Sequence, residues 1–368
     1  MIFRITSSCR REDGGAMARK KEYYDISNML KTDAQYMILL GQRANGKSYQ
    51  AKTTVIKDAY LNGTRFVYLR RWDNHIKAHT VENYFNDINI SELTKGEYDG
   101  VCAWNGEIFF TITGEDGKRV KAQPIGYYCA LNLGERYKSN VFENVRYIIF
   151  EEFITDAAYL VDEPRRLQQF VSTVLRHSAG HVIMVGNTLS RVCPYLMEWA
   201  LEPVLRQKQG TIEVYHFHAG DTVIDVAVEM CANNIKENKM FFGSASKQIV
   251  SGEWDVHDAP HLPRTQLEYE MVYEIELKYG AFRFCMQLLV EPKEGGCIVF
   301  VYPLTKKRKF LRVITNVFSD SPLITSCLDP AIRAEAVMIK CIKLNKVCFS
   351  DNLTASDFKS VMSNMKIC

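Results

Sequence analysis

The stretch Tyr36-Met-Ile-Leu-Leu-Gly41-Gln-Arg-Ala-Asn-Gly46-Lys47-Ser48 joins an apolar run to a complete GxxxxGK[ST] loop. A strand that ends in such a loop is the start of a phosphate-binding α/β unit. Gly41 and Gly46 let the backbone turn tightly enough for successive N–H groups to surround a phosphate, where a Cβ would block the approach. Lys47 is then expected to reach the β- and γ-phosphates, and the Ser48 hydroxyl to bind Mg²⁺. After Lys47 the chain carries apolar and aromatic residues near helical spacing, which sets the loop at a helix N-terminus favourable to anions. The expected ATP-binding residues are Gly41, Gln42, Arg43, Ala44, Asn45, Gly46, Lys47 and Ser48, with ATP and Mg²⁺ as the ligands.

The 368 residues suffice for two domains of ordinary size, and 47% hydrophobic against 24% charged is a globular balance. A net charge of +3 is too small for whole-protein attraction to nucleic acid, so any such contact must come from local patches. The eleven cysteines are scattered with no CxxC pair, which reads as free thiols in a reducing compartment. No apolar run approaches the roughly 18 residues of a membrane span, and no signal-peptide core opens the chain. A soluble protein of the cytoplasm is expected, with no membrane partner. Residues 1–19 read as a disordered or mis-assigned extension, and translation is expected to begin at Met17.

From about residue 30 to 220, strand-like and helix-like segments alternate, the pattern of a mainly parallel sheet covered by helices. Phe66–Leu69 is a second strand, and the pair Arg70-Arg71 at its end is either a binding group or two solvated arginines. Tyr147-Ile-Ile-Phe-Glu151-Glu152 has the form of a Walker B strand. The first acid would hold the metal shell and the second would orient or deprotonate the attacking water. The first position is usually Asp; here it is Glu151, one methylene longer, so a shifted or water-bridged metal is expected.

Residues 163–176 place Leu167, Phe170, Val171, Val174 and Leu175 on one face of a helix, with Pro164 in its first turn. Arg176 follows at the C-terminal end, where it either complements the helix dipole or acts as an arginine finger in a neighbouring subunit's site. A further strand, His181–Val185, leads to Asn187, a strand-end polar residue suited to sensing the γ-phosphate.

Several of these stretches together resemble the DNA-packaging ATPases of phi29-like tailed phages. They are Gly41–Tyr49, Val67–Trp72, Asn83-Tyr-Phe-Asn-Asp-Ile88, Lys138–Asn140 with Asn144-Val145, Ile149–Ile154, Val174–Arg176 and Asn187. Their order and spacing are similar to the family's over about residues 20–200. The resemblance implies a ring of identical subunits, by analogy a pentamer, docked on the portal of an empty capsid and passing double-stranded DNA through its centre. It implies a packaging RNA as a further partner, and action at the portal vertex in the host cytoplasm. Carried over by motif, Lys47 and Ser48 bind nucleotide and metal, Glu152 is the catalytic acid, Arg176 acts in trans, and Lys138 is a second trans-acting candidate.

Residues 221–265 are polar and broken and are expected to be a linker. From Tyr269 onward, 271–277, 282–290 and 297–302 read as short strands of an antiparallel meander, with a helix expected over 330–344. The resemblance implies an RNase H-like domain that has lost its nuclease acids. Glu274, Glu276 and Glu291 do not form the converging constellation that two-metal cleavage needs. Lys306, Lys307, Arg308 and Lys309, with Arg312, are the densest basic run, a nucleic-acid contact or a solvated turn.

The fold expected is therefore α/β: a P-loop (ASCE-type) ATPase domain with a mainly parallel sheet over 20–220, then a smaller α+β RNase H-like domain over 266–368. The function expected is ATP-driven translocation of double-stranded viral DNA into a capsid. The alternative is another P-loop ATPase acting on DNA, a helicase or a partition-type protein.

Overall fold

The computed structural model describes residues 4–7, 24–176, 179–232, 254, 256, 258–291, 295–306, 308–317 and 319–365. Among these, ten strands form one sheet: β1 (Arg4–Ser7), β2 (Tyr36–Gly41), β3 (Arg65–Arg70), β4 (Gly100–Trp104), β5 (Glu107–Thr113), β6 (Arg119–Ala130), β7 (Val145–Glu151), β8 (His181–Asn187), β9 (Thr211–Ala219) and β10 (Thr222–Met230). Their order is β1-β9-β10-β2-β8-β7-β3-β6-β5-β4. The run from β10 to β6 is parallel throughout, and antiparallel pairs flank it on both sides.

The parallel strands are buried on both faces, which is why they read as unbroken apolar runs rather than alternating ones. In β2, Met37 and Leu39 face one core while Ile38 and Leu40 face the other; β7 splits the same way between Ile149 and Phe150. The helices are α1 (Ser27–Leu30), α2 (Lys47–Asn62), α3 (Ala78–Phe85), α4 (Ile90–Leu93), α5 (Glu163–Val174) and α6 (Pro194–Glu198). The first face is covered by α2 and α3, the second by α5 and α6. Because β8 lies between β2 and β7, the P-loop, the acid pair and Asn187 emerge at neighbouring strand ends, where open α/β sheets bind ligands.

Two boundaries differ from expectation. Arg4–Ser7, part of the stretch read as a disordered extension, is an edge strand paired antiparallel with β9; the rest of residues 1–19, Met17 included, lies outside the described residues. The stretch read as a linker from residue 221 begins with β10, which runs parallel beside the P-loop strand. Asp225 and Glu229 hide it from a pattern reading. The Glu229 carboxylate accepts from Tyr24 Oη at 2.7 Å, and the Asp225 backbone N–H donates to the Gln35 side chain at 2.7 Å. The antiparallel ribbon β4-β5-β6 also interrupts the expected alternation.

A second sheet contains β11 (Glu270–Tyr279), β12 (Phe282–Val290), β13 (Cys297–Pro303), β14 (Val313–Thr315), β15 (Ile324–Thr325) and β16 (Val347–Phe349), in the order β15-β14-β11-β12-β13-β16. The meander β11-β12-β13 is antiparallel, and β14 and β15 add parallel on the β11 side. Between β13 and β14 the described residues of 304–312 form no helix, where parallel crossovers usually carry one. Helices α7 (Arg333–Lys343) and α8 (Asn352–Met365) cover one face through Met338, Cys341, Phe358 and Val361. The expected helix over 330–344 is thus α7, shorter at its start.

The segment between β8 and α6 enters this second core: Val192 is fully buried among Ile275, Phe284 and Phe358. Beside it Arg191 pairs with Asp357 at 3.0 Å, and the Ser190 hydroxyl donates to that of Ser360 at 3.2 Å. Among the described residues, no helix is long and apolar enough to cross a membrane.

Candidate active site

The P-loop owes its shape to two glycines in the left-handed region. Gly41 has φ +147°, and a Cβ there would stand 3.2 Å from the Cys231 carbonyl oxygen. Gly46 has φ +98° and caps the N-terminus of α2. The loop is tied on both flanks, since Tyr24 N donates to Asn45 O at 3.0 Å and Cys231 N donates to Leu40 O at 2.7 Å.

Lys47 is buried, and its ammonium donates to Gln42 O at 2.6 Å, Asn45 Oδ1 at 3.2 Å and Asn187 Oδ1 at 3.4 Å. Burial pulls its pKa down to about 8, against the stabilising effect of Cys231 and Glu151. Two buried atoms beside it, Gln42 Oε1 and Asn45 Nδ2, have no partner. Buried polar atoms are normally paired, so this loop is incomplete on its own. A lysine, an amide donor and a helix N-terminus suit a polyphosphate. The cleft they border has a volume of about 640 Å³ and is lined by residues 43–49, Asp87 and Asn187. Arg43 and Ala44 are exposed on its rim.

The acid pair divides its work. Glu151, at the end of β7, is buried; its Oε2 accepts from the Ser48 hydroxyl at 3.2 Å and its Oε1 from Tyr84 Oη at 2.5 Å. Burial pushes its pKa up, and the Tyr84 and Ser48 hydrogen bonds oppose that. A carboxylate against the P-loop serine hydroxyl is the oxygen donor set that suits Mg²⁺. Glu152 turns the other way with φ +57°, and its exposed carboxylate pairs with Arg70 at 2.6 Å.

Neither arginine at the end of β3 is merely solvated. Arg70 holds Glu152, while Arg71 is buried against the fully buried Glu163, with Nε at 3.0 and 2.8 Å from the two carboxylate oxygens. Its other nitrogens donate to the carbonyls of Glu152 at 3.1 Å and Phe153 at 2.7 Å. Arg71 therefore fixes the backbone just after the acid pair, from a helix start that the sequence shows only as an acidic first turn. Tyr195 Oη donates to the same Glu163 carboxylate at 2.9 Å.

Lys47, Ser48, Glu151 and Asn187 thus converge, with Glu152 beside them. Arg176 and Lys138 meet each other elsewhere: Arg176 Nη2 donates to Lys138 O at 3.3 Å, and Lys138 pairs with Glu135 at 2.6 Å. With Arg165 and Gln169 they line an open cleft on the outer face of α5, which shares no lining residue with the P-loop cleft.

In the second domain, Lys306, Arg308 and Lys309 are exposed, and Lys307 lies outside the described residues. Arg308 is ion-paired with Glu274. Arg312, read as part of the same basic run, is instead turned inward onto the buried Glu335 at 2.7 Å. Glu276 pairs with Arg283 at 2.6 Å and Glu291 with Arg264 at 2.7 Å.

The family model "Podovirus DNA encapsidation protein (Gp16)" matches residues 18–237, more than half of the chain. The DNA packaging protein of Bacillus phage phi29 is 30% identical over 193 residues, 51% of this chain and 53% of that protein. The DNA packaging protein of Bacillus phage B103 is 31% identical over 184 residues, 49% and 52% respectively. The chain therefore spans about half the length of the curated relatives it matches. Among solved structures, the bacteriophage Phi-29 viral genome packaging motor assembly covers 93% of this chain and 99% of its own, with a TM-score of 0.54 at 20% identity. That likeness extends the shared fold across both sheets.

Proposed function

Because this chain belongs to the Podovirus DNA encapsidation protein (Gp16) family, we propose that it is an ATP-driven motor that moves double-stranded viral DNA into a preformed capsid through the portal. The observation that carries the reading is the convergence of Lys47, Ser48 and Asn187 on one cleft, with Glu151 bonded to Ser48 and buried Gln42 and Asn45 atoms of the same loop without partners.

Lys47 and the backbone of residues 41–48 bind the β- and γ-phosphates of ATP. Ser48 and Glu151 are the residues that would hold Mg²⁺, which supplies charge neutralisation on the phosphates. Glu152 orients the attacking water and takes its proton on the carboxylate. The Arg70 ion pair holds one oxygen of that carboxylate and leaves the other for the water. Asn187, within reach of Lys47, is placed to sense whether the γ-phosphate is present.

Arg176 and Lys138 complete the site of the next subunit in a homo-oligomeric ring, in analogy a pentamer. Their separation from their own P-loop cleft supports action in trans. An arginine brought to a γ-phosphate in this way is worth about 10³–10⁵ in rate. Among the described residues of the basic run, Lys306 and Lys309 are exposed cations that can touch DNA or a packaging RNA. The second domain does not cut DNA; the reading is supported by the arginine already paired to each of Glu274, Glu276, Glu291 and Glu335.

The test is ATP hydrolysis with double-stranded DNA and portal-bearing empty capsids. Lys47→Ala and Glu152→Gln should each abolish turnover and packaging; wild-type rates in either sink the site assignment. Mixing Arg176→Ala subunits with Glu152→Gln subunits should restore some turnover, because one kind of interface then holds an intact acid and an intact arginine. No recovery at any mixing ratio excludes action in trans.

A further inference from the structure

We infer that Tyr84 is the positioning residue that aims Glu151 at the metal position, and that it does so for a glutamate specifically. The inference rests on the ATPase reading above and names a residue that reading does not use.

The two oxygens of Glu151 have different partners. Oε2 meets Ser48 at 3.2 Å and Oε1 meets the Tyr84 hydroxyl at 2.5 Å. A glutamate has one more rotatable bond than an aspartate, so without a second anchor its carboxylate could swing away from Ser48. The phenol supplies that anchor. Partners behind a metal-holding carboxylate orient it in this way, and the ligand set is incomplete without them.

Tyr84 is itself locked, as a positioning group must be. Its ring stacks on Tyr68 with centroids 4.3 Å apart and planes 13° from parallel, and packs edge-on against Phe85 at 4.9 Å. The buried Lys52 ammonium lies 4.4 Å from its ring centroid and donates to the Tyr84 carbonyl at 2.6 Å. The same ammonium reaches Asp87 Oδ1 at 2.5 Å, and Asp87 lines the P-loop cleft. Lys52 is one turn of α2 beyond Ser48, so the helix that begins at the P-loop also fixes α3 and its tyrosine. The stretch 83–88 thereby acquires a physical role: it is the wall that holds the acid from behind.

The experiment uses the full chain with Tyr84→Phe, which keeps the stacked ring and removes only the hydroxyl. Binding of a fluorescent ATP analogue is titrated with Mg²⁺ and repeated in EDTA, alongside the Mg²⁺ dependence of hydrolysis. The expected result is a rise of about tenfold in the Mg²⁺ concentration for half-saturation, with nucleotide affinity in EDTA unchanged. In a Glu151→Asp background the shorter carboxylate no longer spans Tyr84 and Ser48, so Tyr84→Phe should then add less than twofold. The inference is overturned by Mg²⁺ half-saturation within twofold of wild type, or by an equal cost in both backgrounds. Absence of Mg²⁺-dependent nucleotide binding in the unmodified chain overturns the ATPase reading and this inference with it.

Discussion

In the P-loop cleft, Lys47 is buried with its charge weakened, and Gln42 Oε1 and Asn45 Nδ2 are buried with no partner. On the second sheet and the helix packed against it, Glu274, Glu276, Glu291 and Glu335 each face an arginine. The first region gathers its groups at neighbouring strand ends around a cleft, whereas Glu274 and Glu276 lie within β11 and Glu335 on α7, each with an arginine partner. The difference teaches that catalytic capacity lies in which groups are left unsatisfied, more than in which residue types are present. A guanidinium offsets the charge of the carboxylate it holds, whereas Glu151 is bonded only by the neutral hydroxyls of Ser48 and Tyr84 and keeps its charge for a metal.

The largest expected effect breaks the first region. Glu152→Gln removes the proton acceptor and should lower ATP turnover by about 10²–10⁴, the range for a general base, with nucleotide binding retained. Single-turnover hydrolysis with parallel binding measurements checks it, and a loss of binding instead would place Glu152 in the cradle.

The second region should respond in stability instead. Glu335 is fully buried between Arg312 at 2.7 Å and Tyr273 Oη at 2.7 Å. Glu335→Ala leaves the inward-turned Arg312 charge without its partner and should destabilise the second domain by about 3–5 kcal/mol. Denaturant unfolding followed by a probe in that domain reads the change. If Mg²⁺ or Mn²⁺ lets the unmodified chain nick supercoiled DNA, the second region is catalytic too and the contrast fails.

The seam between the regions should carry a pH signature. Burial raises the Asp357 carboxyl to about 6, with Arg191 opposing and Asp351 reinforcing the shift. The folded state therefore holds this proton more tightly than the unfolded chain. Its stabilising contribution is complete below the unfolded value near 3.8 and is lost as pH rises through about 6. The loss is up to about 3 kcal/mol, since each pKa unit is worth about 1.4 kcal/mol. Unfolding free energies at pH 4 and pH 6.5 should differ less in Asp357→Asn than in wild type; an unchanged difference removes Asp357 as the cause.

The smallest effect concerns the basic run. Lys306→Ala should reduce the slope of log affinity against log salt for double-stranded DNA by about 1, the loss of one phosphate contact. No change in slope makes the run a solvated turn.

Much of this was legible in the chain. The strands at 36–41, 145–151, 181–187 and 282–290 stand out because burial on both faces, or dense packing on one, demands continuous apolar runs. Strand β10 escaped because Asp225 and Glu229 interrupt its pattern; the Asp225 carboxylate is met by His216 on the neighbouring strand and the Glu229 carboxylate by Tyr24, 205 positions away. Arg71 and Glu163 likewise carry no local mark, since their bond joins residues 92 positions apart. The stretch Asn83–Ile88 could be quoted as specific, but nothing in it said that its tyrosine touches Glu151.

By itself the sequence determined the P-loop, because turn geometry and phosphate chemistry require those residue types at that spacing and nowhere else in the chain meets them. It also determined that an acid pair and a sensor follow in order. Only the tertiary structure decided which groups are free to act. That Glu152 is held by Arg70, that Arg312 is spent on Glu335, and that Arg176 sits away from its own cleft all depend on partners distant in the chain, and electrostatic pairing acts through space.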